Sequence, residues 1–432
     1  MRVLHTSDWH LGIDFYEHSR NEEFEKFFGW LLETIEREKI DALVVAGDIF
    51  DGYHPSNASQ KLYYNFFAKL PQTGCSNAVI ISGNHDSREQ LEAPKALLES
   101  LGKQGLGVWI IARKPDNLRQ EVLVLKDRSG EAQLIVAAVP YLRPGDIEAG
   151  HLASEASTVE EMHERYLRGY KEHYAAVKQE VERARLEHGG ILPAIYMGHM
   201  SLAGCQLTDK MRDIPVGNLD SLTCLDLEDS ADYVALGHLH IAQTVGGQDN
   251  WRYSGSPLHF SKSELRNDGI GGLKVSTSGG KSVVIVDFEG RKLREIRTLD
   301  IPVYRDIRLL ESDEPEKAIE ELKNWAKENQ VIWAMVDYSG PIDMRYNLYN
   351  ELKQAIKGSK VDILWFRNQR WNKMLLSADE SKLENEYGEL TPANVFTEFI
   401  KQRCAAVSED ERRWIKEQCL SLYNELENSV VG

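Results

Sequence analysis

Ala42-Leu43-Val44-Val45-Ala46 runs without a break into Gly47-Asp48-Ile49-Phe50-Asp51. Five small or branched apolar residues, closed by a glycine and a carboxylate, read as a buried strand with an acid at its tip. Working outward from this stretch, the same arrangement recurs. Val3–Thr6 leads to Asp8-Trp9-His10, and Ala78–Ser82 to Gly83-Asn84-His85-Asp86. Further on, Ile191–Met197 leads to Gly198-His199, and Tyr233–Leu236 to Gly237-His238-Leu239-His240. Asp, Asn and His are the ligand types that hard-to-borderline divalent cations accept. Scattered His and Asp are commonplace, whereas five clusters at strand ends describe a two-metal hydrolytic centre built from loops at one edge of a sheet.

Between these strands the pattern switches to helical spacing. Ser19 and Glu22 have the spacing of a capping box, followed by Phe24, Phe27, Phe28, Leu31, Leu32 and Ile35. A second helix spans Asn57 to Leu70. Its Tyr63, Tyr64 and Phe67 widen the apolar surface beyond one stripe, which suits either deep packing or a subunit interface. A fourth strand covers Val108–Ala112. Gln120–Lys126 and Gln133–Val139 form a hairpin around Asp127-Arg128-Ser129-Gly130. A long helix runs from Ser154 to His188, about 50 Å at roughly 1.5 Å per residue. Trp251–Ser254 and Ser282–Phe288 add strands. The expected class is α/β, and residues 1–301 form the catalytic domain.

After Ile301-Pro302 the pattern restarts, with strands at Val303–Leu309, Val331–Tyr338 and Val361–Phe366. Helices at Glu314–Glu328 and Met344–Lys357 lie between them, so residues 302–377 form a small α+β domain. Within it, Trp365-Phe366-Arg367-Asn368-Gln369-Arg370-Trp371-Asn372-Lys373 interleaves stacking and phosphate-pairing side chains, which suits nucleic-acid contact or an edge strand with solvated charges. A polar linker, Ala378–Leu390, precedes two tail helices within residues 378–432. One is opened by Thr391-Pro392 and one by Ser408 and Glu411; their apolar stripe docks on the chain itself or on a partner.

Bulk properties restrict the function. At 432 residues the chain exceeds one simple core, and with 42% hydrophobic and 28% charged residues it has a globular composition. No apolar run approaches the ~20 residues of a membrane span, and no leader is apparent at Met1, so a cytoplasmic protein is expected. The five cysteines are odd in number and include no metal-binding pair, which suits a reducing compartment. A net charge of −17 argues against a protein that coats DNA unaided, because phosphate neutralisation supplies non-specific affinity. A local basic surface or a basic partner would still admit a nucleic-acid substrate.

Phosphodiester hydrolysis needs a water activated near neutral pH and charge stabilisation on the non-bridging oxygens, which two divalent cations ~3.5–4 Å apart supply. Asp48 is the natural bridge. Asp8 and His10 turn toward one ion, with His240 reaching back to it; Asn84, His199 and His238 fit the other. Such mixed ligation suits manganese, and iron, zinc and cobalt accept the same donors. His85 is the candidate general acid, Asp51 is placed to hold its ring tautomer, and Asp86 caps the following helix or braces the loop.

Asp-x-His, Gly-Asp-x-x-Asp, Gly-Asn-His-Asp, Gly-His and Gly-His-x-His in this order resemble the calcineurin-like metallophosphoesterase superfamily, over roughly Met1 to His240. Protein phosphatases of that superfamily carry Asp-Arg-Gly and Asn-His-Glu, where this chain has Asp51-Gly52-Tyr53 and Asn84-His85-Asp86. His5–Gly12, Gly198–Gly204 and Tyr253-Ser254-Gly255-Ser256-Pro257 are similar instead to the nuclease subunits of bacterial SbcC–SbcD exonucleases, of Mre type. That resemblance implies a metallophosphoesterase β-sandwich flanked by helices, with a small capping domain and C-terminal helices. It further implies Mn2+-dependent 3′-to-5′ exonuclease action on duplex DNA and endonuclease action on hairpins and single strands. It also implies a homodimer, to which the Asn57–Leu70 helix would contribute. The implied partner is an SbcC-type coiled-coil ABC ATPase, on which the tail helices would dock. A phosphoesterase for nucleotides or phosphoproteins, and a mainly architectural DNA-end tether, are the competing functions.

Overall fold

The computed structural model describes residues 1–95, 98, 105–148, 159–202, 205, 227, 229–267, 274–290, 292–340 and 348–368. Two six-stranded sheets stack face to face. The first runs in the order Lys292–Asp300, Ser282–Glu289, Arg2–Thr6, Ala42–Ala46, Asn77–Ile81, Gly107–Ile111. Its last four strands are parallel, so their carboxyl ends deliver successive loops to one edge. The second runs Gln243–Val245, Gln248–Tyr253, Tyr233–Gly237, Ala194–His199, Ala132–Ala138, Val122–Lys126. Ala194–His199 and Tyr233–Gly237 are parallel and end at equivalent points, with Gly237 opposite His199.

Strand periodicity explains how both faces of a short strand are used. In Ala42–Ala46, Leu43 and Val45 point to the outer core formed with Phe24, Phe27, Leu31 and Phe66. Ala42, Val44 and Ala46 point inward, against Val136, Ala138, Ile195, Met197 and Ala235 of the second sheet. Small and branched side chains at this seam let the sheets approach closely. The outer face of the second sheet packs on Tyr166, Tyr170, Tyr174, Val177 and Val181 of the Val159–Glu187 helix. The expected sandwich flanked by helices is the observed fold; residues 149–158, where the long helix was expected to begin, lie outside the described residues.

Local readings differ in two places, and in a third the structure bears on alternatives left open. The first helix starts at Asn21 with Arg20 as its N-cap and no side-chain cap bond, so Ser19 and Glu22 do not form a capping box. Ser19 instead pairs with Asp14 in a two-residue strand. The helix start is held by buried Arg20, whose Nε donates to Glu23 Oε2 at 2.6 Å and whose Nη1 donates to the His259 carbonyl at 2.6 Å. In the Asn57–Lys69 helix, Tyr63, Phe66 and Phe67 are buried in the chain's own core, while Leu62 and Tyr64 stay partly exposed. Finally, the third sheet, Arg266–Asn267, Lys274–Thr277, Asp306–Ser312, Ile332–Tyr338 and Val361–Asn368, takes two strands from before residue 302.

One compact unit comprises Met1–Glu311, Glu316–Val336 and Tyr349–Phe366, and a second comprises Ser312–Pro315, Asp337–Leu348 and Arg367–Gly432. In the second, the Arg367 guanidinium pairs with the Asp337 carboxylate. The polar linker, both tail helices and residues 369–373 of the aromatic-basic segment lie outside the described residues. No helix among the described residues is long and apolar enough to cross a membrane.

Candidate metal centre

The parallel strand order brings the five clusters together. Beyond the strands, Asp8 N donates to Gly47 O, His10 N to Asp48 O and Leu11 N to Ile49 O, each at 3.0 Å. The first two loops are thereby zipped side by side. Asp8, His10, Asp48 and His238 all take positive φ, at 51°, 45°, 49° and 96°. Non-glycine residues avoid this region, and four such residues within one site mark backbone strain kept where side chains must be aimed. Asp86 compensates in part. Its carboxylate accepts from Gly83 N at 2.8 Å, Ile49 N at 3.1 Å and Phe50 N at 3.0 Å. Asp86 therefore braces the second and third loops, whereas Ser87 caps the following helix.

The side chains converge on two groups, and a third, His10, Asp51 and His85, shares His10 with the first. Asp8, His10 and His240 have potential ligand atoms within 4.8 Å of one another, as do Asp48, His199 and His238. Asp48 Oδ2 lies 3.3 Å from His10 Nε2 and 3.2 Å from His199 Nε2, and so belongs to both. Asn84 Oδ1 lies 3.0 Å from His199 Nε2 and 3.0 Å from His238 Nδ1. His10 Nε2 and His240 Nε2 face each other at 3.1 Å. All seven ligand candidates chosen from the sequence are thus brought into one pocket.

The donor chemistry fits cations. His199 Nδ1 lies 2.9 Å from the Ala46 carbonyl, which places its proton there and turns the Nε2 lone pair toward Asp48 and Asn84. Asn84 Oδ1 is an acceptor facing two imidazole nitrogens, and two further imidazoles meet nitrogen to nitrogen. Lone pairs and carboxylate oxygens converge here in a buried space, the arrangement that divalent ions satisfy. Burial lifts the Asp8 carboxyl to about 6. Burial also works against the Asp48 charge, but His199 and His10 outweigh it and hold that carboxyl well below the usual range. For His199 burial opposes the charge, and Asp48 overcomes it, raising the imidazole to about 9 in the metal-free chain, so a cation at Nε2 would have to displace the proton there.

Glycine precedes the ligands for steric reasons. A Cβ on Gly83 would lie 2.0 Å from Asp48 Oδ1, and one on Gly237 would lie 1.8 Å from the Ala46 carbonyl oxygen.

His85 lies at the open side, its ring edge-on to His10 with centroids 4.8 Å apart. Its Nδ1 is 3.0 Å from the backbone carbonyl of Asp51. The Asp51 carboxylate, by contrast, sits 3.3 Å from His10 Nδ1. Position 51 therefore reaches His85 through its main-chain carbonyl, while its carboxylate lies within 4.8 Å of a ring nitrogen of each of His10 and His85.

Sequence reasoning missed a buried pair behind His240. Glu264 Oε2 bonds Lys281 Nζ at 2.5 Å, and Lys281 Nζ also donates to the His240 carbonyl at 2.9 Å and to Ser256 Oγ at 2.8 Å. Ser256 lies in the Tyr253–Pro257 segment, but neither Glu264 nor Lys281 falls in a motif.

A deep set of mixed His, Asp and Asn donors at the joined edges of a β-sandwich defines a metallophosphoesterase. Residues 1–242 match the calcineurin-like phosphoesterase family, and residues 303–403 match a family described as the type 5 capsule protein repressor C-terminal domain. Two similar relatives are each named as the SbcD component of the SbcCD nuclease. The one from Escherichia coli K12 is 30% identical over 92% of each chain. The one from Rhodobacter capsulatus is 36% identical over 62% of this chain and 64% of its own. A dimetal phosphatase structure from Danio rerio aligns at 12% identity with a TM-score of 0.36, covering 70% of this chain and 99% of that one. The chain belongs to the calcineurin-like phosphoesterase family and, within it, to the SbcD family of nucleases.

Proposed function

We propose that this chain hydrolyses DNA phosphodiester bonds as the nuclease component of an ATP-dependent complex with an SbcC-type coiled-coil ABC ATPase. It acts as a 3′-to-5′ exonuclease on duplex ends and as an endonuclease on hairpins and single strands, in DNA end processing in the cytoplasm. The working form is a homodimer. One observation carries the reading: a converging seven-residue donor set, with Asp8, His10, Asp48, His199 and His240 buried and Asn84 and His238 partly so, lies in a chain similar to an SbcD nuclease over 92% of its length.

Asp8, His10 and His240 hold one cation; Asn84, His199 and His238 hold the other; Asp48 lies between them. Two Mn2+ ions there would supply charge stabilisation on the non-bridging oxygens and a water activated near neutral pH. With Nδ1 held by the Asp51 carbonyl, His85 presents Nε2 outward and gives a proton to the departing oxygen. The Asp51 carboxylate, beside His10, steadies that ligand ring. A net charge of −17 leaves DNA retention to the partner ATPase.

The test is digestion of end-labelled duplex in Mn2+, with and without the SbcC-type ATPase and ATP. Mononucleotide release from the 3′ end, stimulated by both additions, is expected. An untouched duplex alongside rapid hydrolysis of nucleotide monophosphates would assign the site to small phosphoesters instead.

A further inference from the structure

Glu264 and Lys281 are buried, neither falls within a sequence motif, and the proposed chemistry does not use them directly. Glu264 closes a short 3-10 turn, Lys262–Glu264, and Lys281 immediately precedes the strand Ser282–Glu289. A buried ion pair of this kind is weak evidence for stability, because desolvation offsets most of the attraction. Its orientation is more informative. Glu264 Oε1 accepts from Phe260 N at 3.2 Å and Ser261 Oγ at 3.1 Å, which fixes the carboxylate plane. The same Oε1 faces His240 Nδ1 at 3.8 Å, and that nitrogen has no hydrogen-bond partner among the described residues. Lys281 ties the arrangement together by bonding both the carboxylate and the His240 carbonyl.

We propose that Glu264, clamped by Lys281, is the positioning residue that fixes the proton of His240 on Nδ1 and so turns the Nε2 lone pair toward the first cation. The inference rests on the proposed two-ion site. An imidazole that ligates through Nε2 must carry its proton on Nδ1, and that proton needs an acceptor. His199 meets this need with the Ala46 carbonyl. For His240, Glu264 is the carboxylate that faces Nδ1 among the described residues, and a small ring rotation would shorten 3.8 Å to bonding distance. Phe260, edge-on to both His10 and His240 with centroids 5.2 Å away in each case, limits how far those rings turn. Glu264 thus acts on the ion through His240, and Lys281 keeps the carboxylate aimed.

The decisive experiment is calorimetric titration of the full chain with Mn2+ alone. Glu264→Gln is expected to weaken one of two ions by about 10–100-fold, leaving the other unchanged, the effect usual for removing a ligand's orienting partner. Lys281→Met is expected to weaken the same ion. Wild-type affinities for both ions in Glu264→Gln would overturn the proposal. Should these variants fail to fold, the wild-type protein still decides. Nitrogen-15 spectra of the metal-free chain, recorded with the His240 ring in its neutral form, should show the proton on Nδ1. A proton on Nε2 would refute the role of Glu264. If the wild-type protein takes up no Mn2+, the two-ion reading itself fails, and that result is distinct from either outcome at Glu264.

Discussion

Replacing Gly237 by alanine should separate catalysis from stability. A Cβ there would sit 1.8 Å from the Ala46 carbonyl oxygen and 2.9 Å from His199 Nδ1. Ala46 ends the central strand of the first sheet, and Gly237 pairs with His199 in the second, so this is the seam between the sheets at the metal end. An ordinary carbon–oxygen contact is about 3.3 Å, so the strands must part by roughly 1.5 Å, the difference from 1.8 Å. The clashing oxygen belongs to the main chain, and no rotamer relieves it. Overpacking of this kind costs about 1–3 kcal/mol. The same displacement carries away His238 and pulls Ala46 O from His199 Nδ1, now at 2.9 Å. A misplacement of about 1 Å costs on the order of 100-fold in rate. The assay is Mn2+-dependent hydrolysis of a chromogenic phosphodiester, alongside denaturant unfolding. Gly237→Ala should lose at least ~100-fold in kcat while remaining folded, with stability lowered by about 1–3 kcal/mol. Gly29→Ala is the control: it lies exposed in the middle of a helix with nothing within 4 Å of an added Cβ. It should gain about 0.5–1 kcal/mol at unchanged activity. A Gly237→Ala protein with wild-type kcat would refute the claim that ligand placement depends on the close approach of the sheets.

Other perturbations test separate parts of the molecule. His85→Gln removes no proposed ligand, so two Mn2+ ions should still bind by calorimetry while cleavage falls by about 100-fold or more; normal cleavage would exclude the acid role. The Arg20–Glu23 pair is sealed from solvent, so Glu23→Ala should cost about 3–5 kcal/mol in urea unfolding, and Arg20→Met with Glu23→Leu should recover most of it. A double variant no better than the single would show that the charges themselves are needed. Burial pushes the Cys75 thiol up to about 12, well above its value of about 8.5 in an unfolded chain. The folded state therefore keeps its proton longer, and the associated stability is intact below about pH 8.5 and is lost as pH rises toward 12. Iodoacetamide at about pH 8 should label Cys75 only after unfolding.

The strands and ligand clusters were legible because each depends on short-range pattern. Ala42–Ala46 can only be a strand buried on both faces, and an Asp that follows it must lie at the sheet edge. Parallel order then brings Asp8, Asp48, Asn84, His199 and His238 together without further information. What escaped depends on contacts between distant segments. Ser19 and Glu22 had cap spacing, but Arg20 found Glu23 and the His259 carbonyl and set the helix start itself. Position 51 suggested a carboxylate partner for His85, and the fold adds a main-chain one, with the Asp51 carbonyl 3.0 Å from His85 Nδ1 and the carboxylate 3.3 Å from His10 Nδ1. Glu264 and Lys281 lie 17 residues apart and converge on His240 from separate elements. No local spelling marks them. The widened apolar face of the Asn57–Lys69 helix was ambiguous for the same reason: hydrophobicity states that a surface is covered, and only the fold states by what.

Left-handed backbone at Asp8, His10, Asp48 and His238 explains why the pocket needs so many main-chain ties. Each such residue costs of the order of 1–3 kcal/mol, which no cation can offset before it binds. The protein meets that cost with bonds that exist without metal: Asp8 N to Gly47 O, His10 N to Asp48 O, and His238 N to Asp8 Oδ1 at 2.8 Å. The Asp86 carboxylate adds three donors from the neighbouring loops. The ligand set is consequently assembled by the fold and does not wait for the ions to order it. Asp86→Asn, with its loss of charge on those three amides, should therefore loosen both cation sites together, whereas Glu264→Gln should loosen one. Calorimetric titration of the two variants side by side separates a brace shared by the whole pocket from a partner that serves a single ligand. Equal effects on both ions from Glu264→Gln would mean that His240 is held by the common brace alone.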